Sequence, residues 1–435
     1  MTKKLIFDIA NLAGQNTMTG IPRYICEVLL RLFEADKFEI VTICSLPEEE
    51  SALRNFRQHF PYVLPFQSKN VEHYVLPDRP AAAQKSLLKK AEDFLTDRLP
   101  DNQILKSAEK ILRSIKWKLA PPAFFAKRDP SPFYEKLVNE ADIYFSPFNA
   151  LIPELNQKKS IQKILVVHDL IPVVLADMYK DRVFFPENPY DSITPDVIVF
   201  ADSESTRRDL LRCCPHVLEE QVTTAYLAAD ERFAPCNDRG KIETVLSKYA
   251  IPVNTPYILS VASWDVRKNF DHVINSFAKF VLDQNSNLKC NLALTGNSGW
   301  GDKKFKKAYA NLPNIVKTKI ILTGHVDDAD LPLLYAGAEC FCYMSIYEGF
   351  GLPPLEAMQS GTPVITSNTS SLPEVVGNAA ITLDPTDKNE LAATLTKITT
   401  NKQLKSEMIQ KGLEQAKKFT WENCTKIIIE RITKK

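Results

Sequence analysis

The chain has 435 residues, of which 45% are hydrophobic and 25% are charged, and its formal net charge is +1. A chain of this length exceeds one ordinary core, so two domains are expected, and the composition is typical of a globular protein. The near-neutral charge leaves no surplus of basic residues to neutralise phosphates, so no nucleic-acid partner is expected.

Nine cysteines are scattered without a C-x-x-C pair, a pattern typical of reduced, mostly buried thiols in a cytoplasmic protein. Asp8 interrupts the short apolar patch that follows Lys3 and Lys4, so no signal peptide is predicted. No stretch of the sequence is long and apolar enough to span a bilayer. These features together predict a cytoplasmic protein.

The start of the chain predicts a strand–helix–strand unit of the length that a parallel sheet needs. Residues 5–9 and 39–44 are the strands, and Gly20-Ile-Pro-Arg-Tyr24 opens an amphipathic helix between them. Gly20 is either a point where the backbone approaches a phosphate or a simple loop glycine.

Between residues 64 and 138 the pattern changes, and prolines punctuate helical stretches. Residues 103–128 contain seven Lys and Arg side chains against one acid, Glu109, and apolar residues such as Ile111 and Trp117 interleave with the bases. A basic amphipathic helix of this kind lies on an anionic membrane surface, contacts an acceptor, or packs as a surface helix on its own domain.

The strand–helix rhythm resumes at residues 143–146 and 164–169, and the second of these strands ends in His168 and Asp169. Ligands of parallel α/β sheets collect at the carboxyl ends of strands, so His168 is a candidate site residue; a purely structural histidine is the alternative. A strand at residues 197–200 precedes a helix that Ser203 or Ser205 could cap. Residues 222–226 are predicted to close this sheet.

Residues 229–256 are polar and rich in proline, and they form the predicted domain boundary. Six further strands follow, at residues 257–261, 292–295, 319–322, 340–344, 364–366 and 380–383. They predict a second parallel sheet with helices on its faces. Two domains of comparable size leave a cleft between them, which is the default place for a ligand.

The segment S-I-Y-E-G-F-G-L-P-P-L-E-A-M at residues 345–358 predicts a strand–loop–helix joint. Pro353 and Pro354 mark the first helical turn, so Glu348 is expected in the loop that faces the helix start and Glu356 in the opening turn. Gly349 and Gly351 allow a ligand to come close, and free amides there favour an anion. The alternative is an ordinary joint with two solvated acids.

Arg267 and Lys268 follow the first strand of the second domain and could hold a phosphate or diphosphate; a solvated pair is the alternative. The glycine-rich turn at residues 295–301 lacks the spacing of an ATP or NAD loop. No His, Cys and carboxylate cluster has the spacing of metal ligands, so no metal is expected.

The order of these segments resembles that of a known protein family. The sequences S-V-A-S-W-D-V-R-K-N (260–269), L-T-G-H-V-D (322–327), Y-E-G-F-G-L-P-P-L-E-A-M (347–358) and S-G-T-P-V-I (360–365) resemble those of the retaining, GT-B-fold, nucleotide-sugar-dependent glycosyltransferases. Within that family the chain is similar to the bacterial mannosyltransferase-like group. The pair of glutamates with seven residues between them is the family's signature, and the match is strongest over residues 257–384.

The resemblance implies two Rossmann-like α/β domains whose parallel sheets face each other across a cleft. The N-terminal, acceptor-side domain would span residues 1–230, with the basic insertion at about 64–138. The nucleotide-sugar domain would span residues 231–415, and a helix at residues 416–435 would cross back to the first domain.

The resemblance also implies a role for each site residue. Glu356 would bind the ribose, Glu348 would bind hydroxyls of the donor sugar, and His168 would lie near the transferred sugar. The remaining donor-binding positions implied in this way are Gly20, Arg267, Lys268, His325, Val326, Gly349, Phe350, Gly351 and Leu352. Arg267, His168, Lys268 and Glu348 would form the catalytic set. Many relatives have a Gly-Arg pair where this chain has Ala262 and Ser263, so Arg267 is expected to substitute for the missing arginine.

The implied activity is sugar transfer, with retention of anomeric configuration, to a glycan or lipid-linked acceptor of bacterial surface-polysaccharide assembly. GDP-mannose is the favoured donor co-substrate, no separate cofactor or metal is implied, and the enzyme would work in the cytoplasm or on the inner face of the cytoplasmic membrane. A nucleotide-sugar epimerase on the same fold and a non-catalytic sugar-nucleotide-binding scaffold remain alternatives.

Overall fold

The computed structural model describes residues 2–9, 12, 20–44, 71–75, 138–151, 155, 158, 160–179, 188–283, 290–296 and 302–434. The basic segment at residues 103–128, for which membrane or acceptor contact is predicted, lies outside the described residues. The same holds for the turn at residues 297–301.

The first sheet has seven strands in the order β3-β2-β1-β4-β5-β6-β7, and its described pairings are parallel. The strands are β1 (Lys3–Asp8), β2 (Phe38–Cys44), β3 (Val71–Val75), β4 (Ile143–Ser146), β5 (Gln162–Val167), β6 (Val197–Ala201) and β7 (Val222–Thr224). Several of these strands are short, continuous apolar runs, as expected where helices cover both faces of a parallel sheet.

The second sheet has six strands in the order β10-β9-β8-β11-β12-β13, again with parallel pairings. They are β8 (Tyr257–Val261), β9 (Asn291–Thr295), β10 (Ile320–Gly324), β11 (Cys340–Tyr343), β12 (Val364–Ser367) and β13 (Ile381–Leu383). The strand order reverses between β8 and β11. At such a switch point the loops after the two strands diverge and leave a crevice at their carboxyl ends.

Helices connect these strands. Among the described residues they are α1 (Ile21–Glu34), α2 (Ile171–Val174), α3 (Glu204–Cys213), α4 (Arg239–Lys248), α5 (Phe270–Asp283), α6 (Asp302–Ala310), α7 (Asn314–Lys317), α8 (Leu331–Ala336), α9 (Leu352–Gln359), α10 (Leu372–Val376), α11 (Lys388–Thr400), α12 (Lys402–Ala416) and α13 (Trp421–Thr433).

Helix α5 illustrates why these segments are helical. Phe270, Val273, Ile274, Phe277 and Val281 recur at intervals of three and four residues, and all are buried. This spacing aligns them along one face of a helix. Burying each such side chain contributes about 1.5–3 kcal/mol, so the stripe holds the helix in the core of its domain.

The twelve strands predicted from the sequence are all present, and the prediction of two parallel sheets is confirmed. Strand β3 was not predicted. Its sequence V-E-H-Y-V lacks the continuous apolar run of its neighbours, and it lies at the edge of the sheet, where a strand pairs on one side only.

The predicted return of the C-terminal helix to the first sheet is also confirmed. In α13, the Cys424 thiol lies 3.8 Å from the carbonyl oxygen of Ala225, and Arg431 donates a 2.7 Å hydrogen bond to the carbonyl of Glu220. Both partners flank β7. Thr420 caps the start of the helix by accepting a hydrogen bond from the amide of Asn423.

The chain divides into two compact units. The first comprises Met1–Leu165 and Val183–Val197, and the second comprises Val166–Arg182 and Ile198–Lys435. The carboxyl ends of β5 and β6, all of β7 and the whole second sheet therefore fall within the second unit.

The first unit has a core of its own around β1 and β4. The rings of Phe7 and Phe145 stack with their centroids 4.9 Å apart. The fully buried Asp8 accepts a hydrogen bond of 3.4 Å from the hydroxyl of Tyr144, so this acid has a polar partner inside the core.

No helix of the described ranges is long and apolar enough to cross a membrane. The eight cysteines whose side chains are described are free thiols, and six of them are buried.

Candidate active site

Arg267 and Lys268 occupy a short 3₁₀ turn after β8. The Asp265 carboxylate accepts a 3.1 Å hydrogen bond from the amide of Arg267 and so begins the turn. Asn269 ends it in the left-handed conformation, with φ of 60°. The buried Asn269 side chain donates to the carbonyl of Met344, at the end of β11, which ties this turn to the neighbouring strand.

Glu348 lies in the loop after β11, directly beside that turn. The amide of Ile346 donates a 2.8 Å hydrogen bond to the carbonyl of Arg267, so the two loops are joined through their backbones. One Glu348 carboxylate oxygen lies 2.7 Å from Arg267 Nη1, and the other lies 2.6 Å from Lys268 Nζ. The Tyr343 hydroxyl donates a 2.8 Å hydrogen bond to the latter oxygen.

Arg267, Lys268 and Glu348, called the charge cluster below, carry two positive charges and one negative charge. Burial alone would raise the pKa of Glu348, but the two cations lower it to about 2, so its carboxylate is ionised at neutral pH. Burial and the charge of Arg267 lower the pKa of Lys268 to about 8. Burial opposes the charge on Arg267, yet Glu348 raises its pKa above the ordinary value. The cluster therefore has a net charge of +1 at neutral pH and favours an anion.

Gly349 is in contact with protein backbone. A Cβ atom at this position would lie 2.1 Å from the carbonyl oxygen of His168, which is too close for any other residue. The Ser203 and Thr206 hydroxyls donate to the carbonyl of Gly349, the latter at 3.1 Å. The strand-end segment at His168 and the start of α3 thus fix the loop that carries Glu348.

Gly351 precedes α9 and has a φ of 117°, which favours glycine. The expectation that Glu356 lies in the opening turn of this helix is wrong. The helix begins at Leu352, so Glu356 is its fifth residue and lies in the second turn. There its carboxylate accepts a 3.1 Å hydrogen bond from the hydroxyl of the buried Tyr335. Phe350 between the two glycines is buried.

His168 and Asp202 lie at the carboxyl ends of β5 and β6. His168 Nδ1 is 3.5 Å from a carboxylate oxygen of Asp202, and both side chains are largely buried. Burial raises the pKa of Asp202 to about 6, although the imidazole opposes this shift. Burial also raises the pKa of Asp169, and the charge of nearby Arg267 acts against it. Asp169, next to His168, therefore lies close enough to the charge cluster for the charges to act on each other.

The other predicted site residues lie elsewhere in the fold. His325 and Val326 follow β10; the histidine is exposed and the valine is buried. Gly20 precedes α1 in the first compact unit, with a φ of 56°. Within the described ranges, no group of three or more His, Cys, Asp and Glu side chains could hold a metal ion.

Sequence reasoning missed the two tyrosines that bind the signature glutamates. Tyr343 is the last residue of β11 and contacts Glu348, while Tyr335 lies in the last turn of α8 and contacts Glu356. A tyrosine in an otherwise apolar strand that leads into a polar loop was the available signal, because a buried hydroxyl needs a hydrogen-bond partner.

Comparison with known proteins agrees with this geometry. The family model described as "Glycosyl transferases group 1" matches residues 241–415, which include every member of the charge cluster. The chain is 34% identical to O-antigen chain mannosyltransferase B of Escherichia coli, over 60% of this chain and 68% of that relative. The chain belongs to the group 1 glycosyltransferases. Like that family, it is a retaining glycosyltransferase that binds a nucleotide-sugar donor.

Two further comparisons extend this assignment. This chain is 28% identical to the serotype-specific mannosyltransferase WbdA of Escherichia coli. The match covers 62% of this chain but only 33% of that relative. The sucrose-phosphate synthase structure from Thermosynechococcus elongatus covers 99% of this chain and 98% of its own, with a TM-score of 0.67 and 17% identity. That likeness establishes the GT-B fold.

Proposed function

We propose that this glycosyltransferase transfers mannose from GDP-mannose to a glycan or lipid-linked acceptor in bacterial surface-polysaccharide assembly. The observation that carries the proposal is the charge cluster, which is largely buried at the switch point of the second sheet and keeps a net positive charge. A diphosphate is the anion that this position suits. The mannosyl donor is supported by two relatives that are mannosyltransferases, O-antigen chain mannosyltransferase B and the serotype-specific mannosyltransferase WbdA.

In this proposal Arg267 and Lys268 bind the donor diphosphate. Negative charge grows on the leaving diphosphate as the bond between the sugar C1 and the phosphate oxygen breaks. Fixed cations in a buried site stabilise that charge without having to reorganise. The acceptor oxygen bonds to C1 on the same face, and the leaving phosphate takes the acceptor's proton.

The remaining roles follow the family resemblance and are part of the proposal. Glu356 binds the ribose hydroxyls, as an acceptor-only carboxylate can. Glu348 and the backbone from Gly349 to Leu352, including Phe350 and Gly351, bind hydroxyls of the sugar. The chain at His325 and Val326 meets the base, and His168 lies near the transferred sugar. Gly20 lets the backbone approach the phosphates.

The proposal also covers organisation and location. Residues 1–230 form the acceptor-side domain, residues 231–415 bind the nucleotide sugar, and residues 416–435 return to the first domain. The enzyme works in the cytoplasm, and the basic segment at residues 103–128 holds it on the inner face of the membrane.

A thermal-shift panel of GDP, UDP, ADP, GDP-mannose and UDP-glucose tests the donor. Selective stabilisation by GDP and GDP-mannose is expected, because ligands that bind only the folded state raise the melting temperature. Stabilisation by uridine nucleotides alone would overturn the proposed donor. A response to no nucleotide would contradict nucleotide-sugar binding altogether.

A further inference from the structure

The hydroxyl of Tyr343 lies between a cation and an anion of the charge cluster. It accepts a 2.5 Å hydrogen bond from Lys268 Nζ and donates a 2.8 Å hydrogen bond to Glu348. The ring stacks on Phe341 with centroids 5.7 Å apart, and Lys268 Nζ lies 5.1 Å from the Tyr343 ring centroid. Only 2% of Tyr343 is exposed, so water does not compete strongly for these contacts.

Diphosphate binding requires Lys268 to stay charged while its contact with Glu348 changes. The Lys268 side chain is only 10% exposed, and burial favours the neutral amine, which cannot attract a phosphate. Glu348 keeps the ammonium charged in the arrangement seen here, at 2.6 Å. When an anion draws Lys268 toward itself, the ammonium and the carboxylate each weaken a contact and need another partner.

We propose that Tyr343 is a positioning residue that keeps Lys268 protonated and directed during donor binding. Its oxygen accepts a hydrogen bond from the Lys268 ammonium, and its hydroxyl donates a hydrogen bond to the Glu348 carboxylate. Lys268 and Glu348 therefore each retain a hydrogen bond when the contact between them lengthens. This inference rests on the proposed diphosphate site and adds to it Tyr343, the last residue of β11.

The chemistry of the phenol suits this task. Burial, followed by the charge of Glu348, raises the pKa of Tyr343 well above its usual value, so the hydroxyl stays neutral and keeps its proton to donate. The charged groups that act on Lys268 are Arg267, Glu348 and Asp265. Arg267 disfavours the ammonium and the two acids favour it. Loss of the phenol oxygen therefore shifts Lys268 further toward the neutral amine.

The test is the pH dependence of GDP and UDP affinity, measured by titration calorimetry between pH 6.5 and 9.5 on the wild type and on Tyr343→Phe. In the wild type, nucleotide affinity is expected to fall above about pH 8, where Lys268 of the nucleotide-free protein loses its proton. In Tyr343→Phe the fall is expected to begin about one pH unit lower, because a hydrogen bond to a charged group is lost. At pH 6.5 the nucleotide affinity of Tyr343→Phe should stay within about threefold of the wild-type value, since Lys268 is still protonated at that pH.

Two further variants make the result specific. Tyr257→Phe removes another buried hydroxyl of the same sheet, which donates to the carbonyl of Leu334, and it should leave the profile unchanged. Lys268→Arg should abolish the alkaline fall, and adding Tyr343→Phe to it should then have no effect on the pH dependence. Titration of the nucleotides is common to all the proteins, so only differences between them count.

An unshifted fall in Tyr343→Phe would overturn the inference, and so would a loss of affinity that is equal at all pH values. A shift on addition of Tyr343→Phe to Lys268→Arg would also overturn it. If only UDP binds and the shift is present, the proposed donor fails and the role of Tyr343 stands. If the wild type binds neither nucleotide, both fail.

Discussion

Glu348 shows how one residue shapes the electrostatics of the site. Its carboxylate lies between two cations, and its burial makes it costly to lose them. The sequence suggested that Arg267 and Lys268 either hold a phosphate or diphosphate or form a solvated pair. The structure instead shows them paired, so a ligand must share these cations with Glu348, and the surplus of one positive charge provides the attraction.

Replacing Glu348 with Gln should separate binding from turnover. Removal of the carboxylate frees both cations but also makes Lys268 easier to deprotonate, so the comparison is made at pH 6.5. There we expect GDP affinity in calorimetry to stay equal or rise, while sugar transfer falls. Stability in urea should fall by about 3 kcal/mol, because two largely buried cations lose their anionic partner. The control is Glu339→Gln, which breaks a partly exposed ion pair with Lys405 and should cost less than about 1 kcal/mol. A fall in GDP affinity as large as that in Lys268→Met would contradict this division of roles.

At the scale of elements, the loop after β11 is fixed by the first part of the chain. Helix α3 begins at Ser203, whose hydroxyl accepts from the amide of Thr206. The Glu374 carboxylate of α10 accepts from the amides of Glu204 and Ser205 at 2.9 and 2.8 Å. A carboxylate at a helix N-terminus satisfies free amides and interacts favourably with the helix dipole. These contacts join α3 to α10, and the residues that precede the two helices, Ser203 and Ser371, donate hydrogen bonds to the loop that carries Glu348.

Gly349→Ala tests how tightly this loop is held. The added Cβ would meet the backbone of His168 at 2.1 Å, which cannot move without displacing β5, so urea denaturation should show a loss of about 1–3 kcal/mol. Gly240→Ala in α4 is the matched control. Its Cβ would meet only a side-chain atom of Asp238 at 3.5 Å, and alanine is the better helix former, so stability should be unchanged or higher. Equal stability of the two variants would refute the close packing of Gly349.

At the scale of the whole molecule, the sheets were predictable because their central strands are apolar and separated by helical patterns. The meeting of Arg267 with Glu348, 81 positions later, follows from the pairing of β8 with β11, which no local pattern reveals. The family resemblance indicated that these residues share a site. It did not indicate that Tyr343 joins them or that Glu356 lies one turn further into its helix, because both depend on where a strand and a helix begin and end.

The proposed membrane contact belongs to this scale as well. Changing Lys110, Arg113, Lys116 and Lys118 to Ser should reduce flotation with liposomes that contain anionic lipid, because each basic residue contributes about 1 kcal/mol near such a surface. The control replaces four exposed lysines of α6 with Ser: Lys303, Lys304, Lys306 and Lys307. Equal flotation of the two variants would argue against a specific role for residues 103–128.

The central claim is that Arg267 and Lys268 bind the diphosphate of a guanosine nucleotide, and a comparison of GDP with GMP tests it most directly. Calorimetric titration of the wild type should show at least about tenfold tighter binding of GDP, because the second phosphate reaches the charge cluster. In Lys268→Met that preference should shrink toward one, while GMP affinity changes little. Equal affinity of the wild type for GDP and GMP, or an equal loss of both in the variant, would contradict the account.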